Sequence, residues 1–216
     1  MNKIASYIDH TLLKVDVSDA DIKRHCKEAE EYGFYSVCVH PVFVSDCKKL
    51  LSGTDVKVVS VAGFPMGESL TKVKAFEAEN AVSDGADEVD TVINLSKLFL
   101  KDYDYVKRDI KTIVSAIAPV PLKVILETCK LSDEQIVTAC EICAEAGAAF
   151  VKTSTGFFGK GAEERIVRLM TETVRGRCRV KAAGGIRDYA TAIAMIDAGA
   201  SRIGTSAGVA IVKGEE

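Results

Sequence analysis

Ala146-Gly147-Ala148-Ala149-Phe150-Val151-Lys152-Thr153-Ser154 compresses a helix end, a turn and a strand into nine residues. Upstream, residues 133–146 carry a helical pattern that opens on Ser132 before Asp133-Glu134, a helix-start signal. Gly147 is placed to take the left-handed conformation that closes a helix. The run after it is short and apolar, as buried parallel strands are. The same unit recurs at Asp84-Gly85-Ala86 before residues 88–94 and at Ala198-Gly199-Ala200 before 202–204. Tyr32-Gly33-Phe34 before 35–39 is a looser copy.

Extended along the chain, this reading predicts eight strands, over 6–9, 35–39, 57–62, 88–94, 122–127, 150–154, 179–183 and 202–204. Helical patterns fall between them over 19–32, 42–51, 69–83, 103–118, 133–146, 162–175 and 189–198, with a last short one from Ala207. No Pro/Ser-rich linker or composition shift divides the chain, so residues 1–216 read as one domain. Eight βα units predict an α/β fold, a compact single-domain (β/α)8 TIM barrel. Dividing 216 residues by eight gives 27 per unit, close to the least that a strand, a helix and two loops can use. Little room remains for a lid or a cofactor module. The alternative, a doubly wound open sheet, would show Gly-x-Gly-x-x-Gly after the first strand, and none is there.

A net charge of −3 argues against a broad nucleic-acid surface, while a local basic pocket stays possible. No apolar run reaches the ~18–20 residues of a membrane span. Residues 1–14 carry no long apolar stretch, so no signal peptide is read. The seven cysteines lie mostly in apolar periodic segments, which suits free thiols in a reducing cytoplasm. Cys140-x-x-Cys143 falls in a helix interior without a second such pair, so core packing is preferred to zinc. His10, His25 and His40 are scattered, and no metal is expected.

Lysine is depleted in strands and almost never buried unpaired. Three predicted strands nonetheless carry one at mid-strand: Leu122-Lys123-Val124, Val151-Lys152-Thr153 and Val180-Lys181-Ala182. The intervals are 152 − 123 = 29 and 181 − 152 = 29, so the three occupy comparable places and should face the barrel interior. A salt-bridged polar layer is the bland explanation. The sharper one is chemical: desolvation and a neighbouring charge both disfavour the ammonium form, and a partly neutral amine attacks carbonyls. The spacing suggests a Schiff-base enzyme without saying which lysine is the nucleophile.

The fourth strand supplies an acid. Alternation puts Glu88, Asp90, Val92 and Asn94 on one face, and Asp90 is either a counter-ion for the lysines or a proton relay. Asp87 and Glu88 read as solvated residues at the strand's start. Thr153-Ser154-Thr155-Gly156, Ala183-Gly184-Gly185-Ile186-Arg187 and Gly204-Thr205-Ser206-Ala207-Gly208 follow the last three strands. Glycine loops that open into helices, in the place where barrels often hold phosphate, predict a phosphate cradle. Gly63-Phe64-Pro65-Met66-Gly67 reads as a loop at the same face, with no role assigned. Lys160 is either a further phosphate contact or a solvated charge, and Cys38 is read as packing.

Six segments together resemble the deoxyribose-phosphate aldolase family. They are Ile8–Leu13, Val37–Pro41, Gly85–Asp90, Leu122–Thr128, Phe150–Phe157 and Val180–Arg187, the pair Lys-Thr-Ser-Thr-Gly and Lys-x-x-Gly-Gly-Ile-Arg being the most specific. The resemblance implies that Lys152 is the Schiff-base lysine, Lys181 the lysine that lowers its pKa, and Asp90 the acid of a water-borne proton relay. By the same resemblance Asp9, Thr11, Lys123 and Thr155 line the substrate site. Gly156, Gly184, Gly185, Gly204 and Ser206 would contact phosphate. It implies a sugar-phosphate substrate, no metal or other cofactor, and a homo-oligomer, dimer or tetramer. Two other readings stand beside it: a non-covalent sugar-phosphate isomerase and a non-enzymatic sugar-phosphate-binding protein. Neither would form a covalent adduct with an aldehyde.

Overall fold

The computed structural model describes residues 4–214. Its eight parallel strands close into a barrel in chain order: β1 (Ile8–Leu12), β2 (Ser36–Val39), β3 (Lys57–Ala62), β4 (Glu88–Val92), β5 (Leu122–Ile125), β6 (Phe150–Lys152), β7 (Arg179–Ala183) and β8 (Arg202–Thr205). β8 pairs with β1 to close the ring, with Asp9 opposite Gly204. Around it lie α1 (Asp19–Tyr32), α2 (Val44–Leu50), α3 (Thr71–Ser83), α4 (Leu95–Phe99), α5 (Tyr103–Ile117), α6 (Asp133–Glu145), α7 (Glu164–Val174), α8 (Tyr189–Asp197) and α9 (Gly208–Lys213). Ser18 and Ser132 close capping boxes with Asp21 and Gln135 at the starts of α1 and α6. Gly147 sits at φ +88° after α6, as the opening stretch requires.

Among the boundaries that differ from the sequence reading, three bear on the site. Residues 5–7 form a short 3-10 turn, so β1 begins at Ile8 and carries Asp9 and Thr11 within the strand. β4 ends at Val92, and Asn94, read as a strand residue, instead caps α4 by accepting the Lys97 N–H at 2.8 Å. A strong local cap here overrides the extended pattern. β5 ends at Ile125, because Glu127 adopts a left-handed backbone at φ +55°.

The apolar core lies between barrel and helices. Strand residues such as Val37, Val124, Val151, Val180 and Ile203 join it, together with Cys140 and Cys143 of α6. Those two cysteines are free, as is each of the other five. A second, smaller apolar cluster, Leu13, Cys38, Val59 and Val61, lies inside the barrel, where the Phe150 ring also packs beneath Lys123 and Arg202. The histidines are less scattered than the sequence suggests. On the outer side of β1, His10 stacks on His25 with ring centroids 4.1 Å apart and meets Glu28 at 2.9 Å. Their metal-ligating atoms lie within 4.8 Å of one another, but His25 is already bonded to the His10 carbonyl, and the group stands apart from the barrel interior. No helix among the described residues is long and apolar enough to cross a membrane.

Candidate active site

The barrel interior is built from strand residues of one alternation class, and it is charged. Lys152 pairs in register with Lys181, and Lys123 with Asp90. The equal spacing of the lysines does not put all three at one level. Lys123 lies opposite Phe150, two residues before Lys152, because the β5–β6 register offset is 150 − 123 = 27 rather than 29. The side chains converge all the same on Asp90. Its Oδ1 is 2.6 Å from Lys123 Nζ, and its Oδ2 is 2.8 Å from both Lys152 Nζ and Lys181 Nζ. Lys181 also pairs with Asp9.

Below this cluster the floor is closed by residues the sequence reading passed over. Glu88 is buried, not solvated, and meets Lys123 Nζ at 2.8 Å. Arg202 bonds Asp9 at 2.9 Å and Glu88 at 3.2 Å, its guanidinium 3.3 Å from the Tyr35 ring centre. A charged residue within an apolar strand was a legible signal for Arg202, just as for the lysines. Asp87, by contrast, faces outward to Lys48.

The interior therefore holds four basic groups, Lys123, Lys152, Lys181 and Arg202, against three acids, Asp9, Glu88 and Asp90. One uncompensated cation in a desolvated space is costly, and a neutral lysine removes the imbalance. The electrostatics single out which. Burial depresses Lys152, and Lys181 adds to that, so that Asp90 does not bring it back to its ordinary value. Burial also opposes charge on Lys181 and Lys123, but Asp9 and Asp90 together raise both. Burial would raise Asp90, yet the three ammonium groups hold it well below the usual carboxylate range.

Access follows the same division. A cleft of about 580 Å³ opens where the strands end, and Lys152 lines it. The Lys152 side chain keeps 4% of its surface exposed, whereas Lys123, Lys181, Asp9 and Asp90 have none. An accessible amine with a lowered pKa at the floor of a cleft is equipped to add to a carbonyl. Thr11, Thr155, Gly156, Gly184, Gly185, Gly204 and Ser206 line the same cleft. Gly204 has a second role: a Cβ there would lie 3.0 Å from Lys181 Cε, so glycine leaves the room that side chain needs.

Two expectations about the cradle change. Asp188 already caps α8, accepting the Thr191 N–H at 2.7 Å, so a carboxylate occupies that helix end. Lys160 does not line the cleft, while Lys14 and Arg187 do. The loop after β3 gains a place: Phe64 meets Phe157 edge to face at 5.3 Å, reaching from that loop to the one after β6. Cys38 is fully buried within the barrel.

Comparison with known proteins agrees with this geometry. The family model described as DeoC/LacD family aldolase matches residues 3–214. A deoxyribose-phosphate aldolase of Clostridium tetani is 53% identical over 212 residues, covering 98% of each chain. A solved structure named QR15, an aldolase, is 46% identical with a TM-score of 0.95, covering 99% of this chain and 96% of its own. The tetrameric deoxyribose phosphate aldolase of Aeropyrum pernix is 35% identical with a TM-score of 0.89, over 97% of this chain and 89% of its own.

Proposed function

This chain belongs to the DeoC/LacD aldolase family, and from that premise we propose that it is a deoxyribose-phosphate aldolase. It would cleave 2-deoxy-D-ribose 5-phosphate reversibly to D-glyceraldehyde 3-phosphate and acetaldehyde. The observation that carries the reading is Lys152, the one lysine of the Asp90 cluster that combines a lowered pKa with access to the cleft.

Lys152 adds to the C1 aldehyde of the open-chain sugar and loses water to form an imine. Once protonated, the imine is the electron sink. Removing the C3 hydroxyl proton breaks the C2–C3 bond, glyceraldehyde 3-phosphate leaves, and an enamine stays on Lys152. Asp90 and Lys181, through water, carry protons to and from C2 and the carbinolamine. Hydrolysis then releases acetaldehyde. The imine does the work of stabilising the carbanion, so the scheme draws on no metal or organic cofactor. Gly156, Gly184, Gly185, Gly204 and Ser206, on the cleft wall, would hold the phosphate and orient the sugar. Thr11 at the cleft and Asp9 and Lys123 behind it complete the substrate environment.

Seven free thiols support a reducing, cytoplasmic setting. The tetrameric relative and the exposed Leu70, Val73 and Phe76, three apart at the start of α3 and along it, support a homo-oligomer. Borohydride with acetaldehyde tests the assignment. One two-carbon unit on Lys152, read by mass spectrometry, is expected, and Lys152→Ala should abolish turnover with the fold retained. Labelling of another lysine sinks the assignment. No labelling, with aldose–ketose interconversion or with phosphate binding alone, would move the chain to the isomerase or to the binding-protein reading.

A further inference from the structure

Glu127 is a buried acid that the chemistry above leaves unused. It is 1% exposed, and among the described residues no cation lies within ion-pair distance of it. Its backbone is left-handed, at φ +55° and ψ +58°, a conformation that a non-glycine residue adopts only when its surroundings impose it.

The ladder explains the conformation. Leu126 N–H donates to the Lys152 carbonyl and Thr128 N–H to the Thr153 carbonyl, both at 2.9 Å. Two steps along the β5 side therefore match one step on the β6 side, and Glu127 is the extra residue of a bulge. The bulge aims its carboxylate at the first loop after β6. There Oε2 accepts the Thr155 N–H at 3.1 Å and also the Thr155 hydroxyl proton, while Oε1 faces Cys129 Sγ at 3.6 Å.

Thr155 Oγ1 has one proton and two lone pairs. Glu127 takes the proton, and the Phe157 N–H at 3.1 Å takes one lone pair. What remains at the cleft wall is one acceptor position.

From this bulge, we propose that Glu127 is a positioning residue that makes the Thr155 hydroxyl an acceptor only, so that the site reads a donating hydroxyl on the aldehyde half of its sugar phosphate. A group that can only accept there, or no group, leaves the Thr155 acceptor without a donor from the substrate, and is selected against. The inference rests on the aldolase reading and adds the means by which a hydroxylated aldehyde is preferred.

The test is run in the condensing direction. Acetaldehyde is joined either to D-glyceraldehyde 3-phosphate or to 3-oxopropyl phosphate, which lacks the hydroxyl next to the aldehyde. The unaltered protein should prefer the first in kcat/KM by roughly tenfold or more. Glu127→Ala and Thr155→Val should each collapse that preference to about unity, chiefly through the hydroxylated aldehyde. Glu127→Gln, whose amide oxygen can accept both Thr155 donors, should restore most of it. Equal losses on both aldehydes in Glu127→Ala and Thr155→Val would assign Glu127 a structural role only and overturn the proposal. So would a preference unchanged in both. Borohydride trapping of acetaldehyde on Lys152, run in parallel, separates the two levels. If trapping fails in the unaltered protein, the aldolase reading has failed; if it succeeds while the preference ignores Glu127, only the positioning role has.

Discussion

Lys181 acts on Lys152 from behind. It is fully buried, shares Asp90 Oδ2 with Lys152, and its charge lowers the Lys152 pKa. Replacing it by Met, of similar length and uncharged, removes that push, and the Lys152 pKa should rise. The amine then stays protonated to higher pH, so the acid limb of the kcat/KM profile should move toward alkaline pH. Activity at pH 7 should fall about a hundredfold, in the range of a lost acid–base partner. A pH–rate series reads both effects, and an acid limb that stays in place would remove Lys181 from the pKa argument. At this scale the lysines and Asp90 were legible because a charge inside a Val-rich run breaks the local rule visibly. Glu127 was not, although Leu126-Glu127-Thr128 lay in view. Its orientation comes from a register mismatch between two strands, which the residues of one strand do not encode.

Helices and strands hold the interior in register, and one tie between them escaped the sequence reading altogether. Lys74 of α3 is fully buried; its Nζ bonds Asp109 of α5 at 2.6 Å and the carbonyls of Val92 and Gly67 at 3.1 and 3.2 Å. It joins α3, α5, the end of β4 and the loop that carries Phe64. Asp109→Ala would leave the ammonium buried without its counter-charge, at a cost of about 3–5 kcal/mol. The double change Lys74→Met with Asp109→Leu should recover much of that loss, since apolar groups of similar volume tolerate the same space. Urea titration of the three proteins checks this, and equal stability of the single and double variants would mean the charge pair is not the cause. Lysine and aspartate on separate helices look like solvated faces until packing brings them together, and α4 was hidden likewise behind an apolar run that Asn94 diverts.

Over the whole molecule the repeat of helix, glycine and strand was enough to number the strands and close the barrel, because each unit is local. Contacts between distant units were not, and the apolar side of α3 is one consequence. If Val73 and Phe76, 47% and 67% exposed, are covered by a second copy, Phe76→Glu should lower the assembly state seen by sedimentation while each barrel stays folded. An unchanged state would place the interface elsewhere.

Acid should weaken the fold over two separate pH windows. His10 and His25 touch one another, His10 also faces Glu28, and Arg24 lies near His25. Burial lowers His10 to about 4, and burial with the neighbouring imidazole lowers His25 to about 3. The unfolded chain therefore binds these protons first, near pH 6.5, and stability declines as pH falls from there toward 4. His10 alone accounts for roughly 3 kcal/mol once pH passes below its folded value. Asp9 and Asp90 are depressed as well, so their contribution is present above the unfolded carboxylate value near 4 and is lost below it. Both classes act in the same direction but in separate windows. Urea midpoints should fall between pH 6.5 and 4.5 in the unaltered protein, and the double variant His10→Leu with His25→Leu, whatever its stability at pH 7, should flatten that slope. A slope that survives the double variant would assign the first window to other groups.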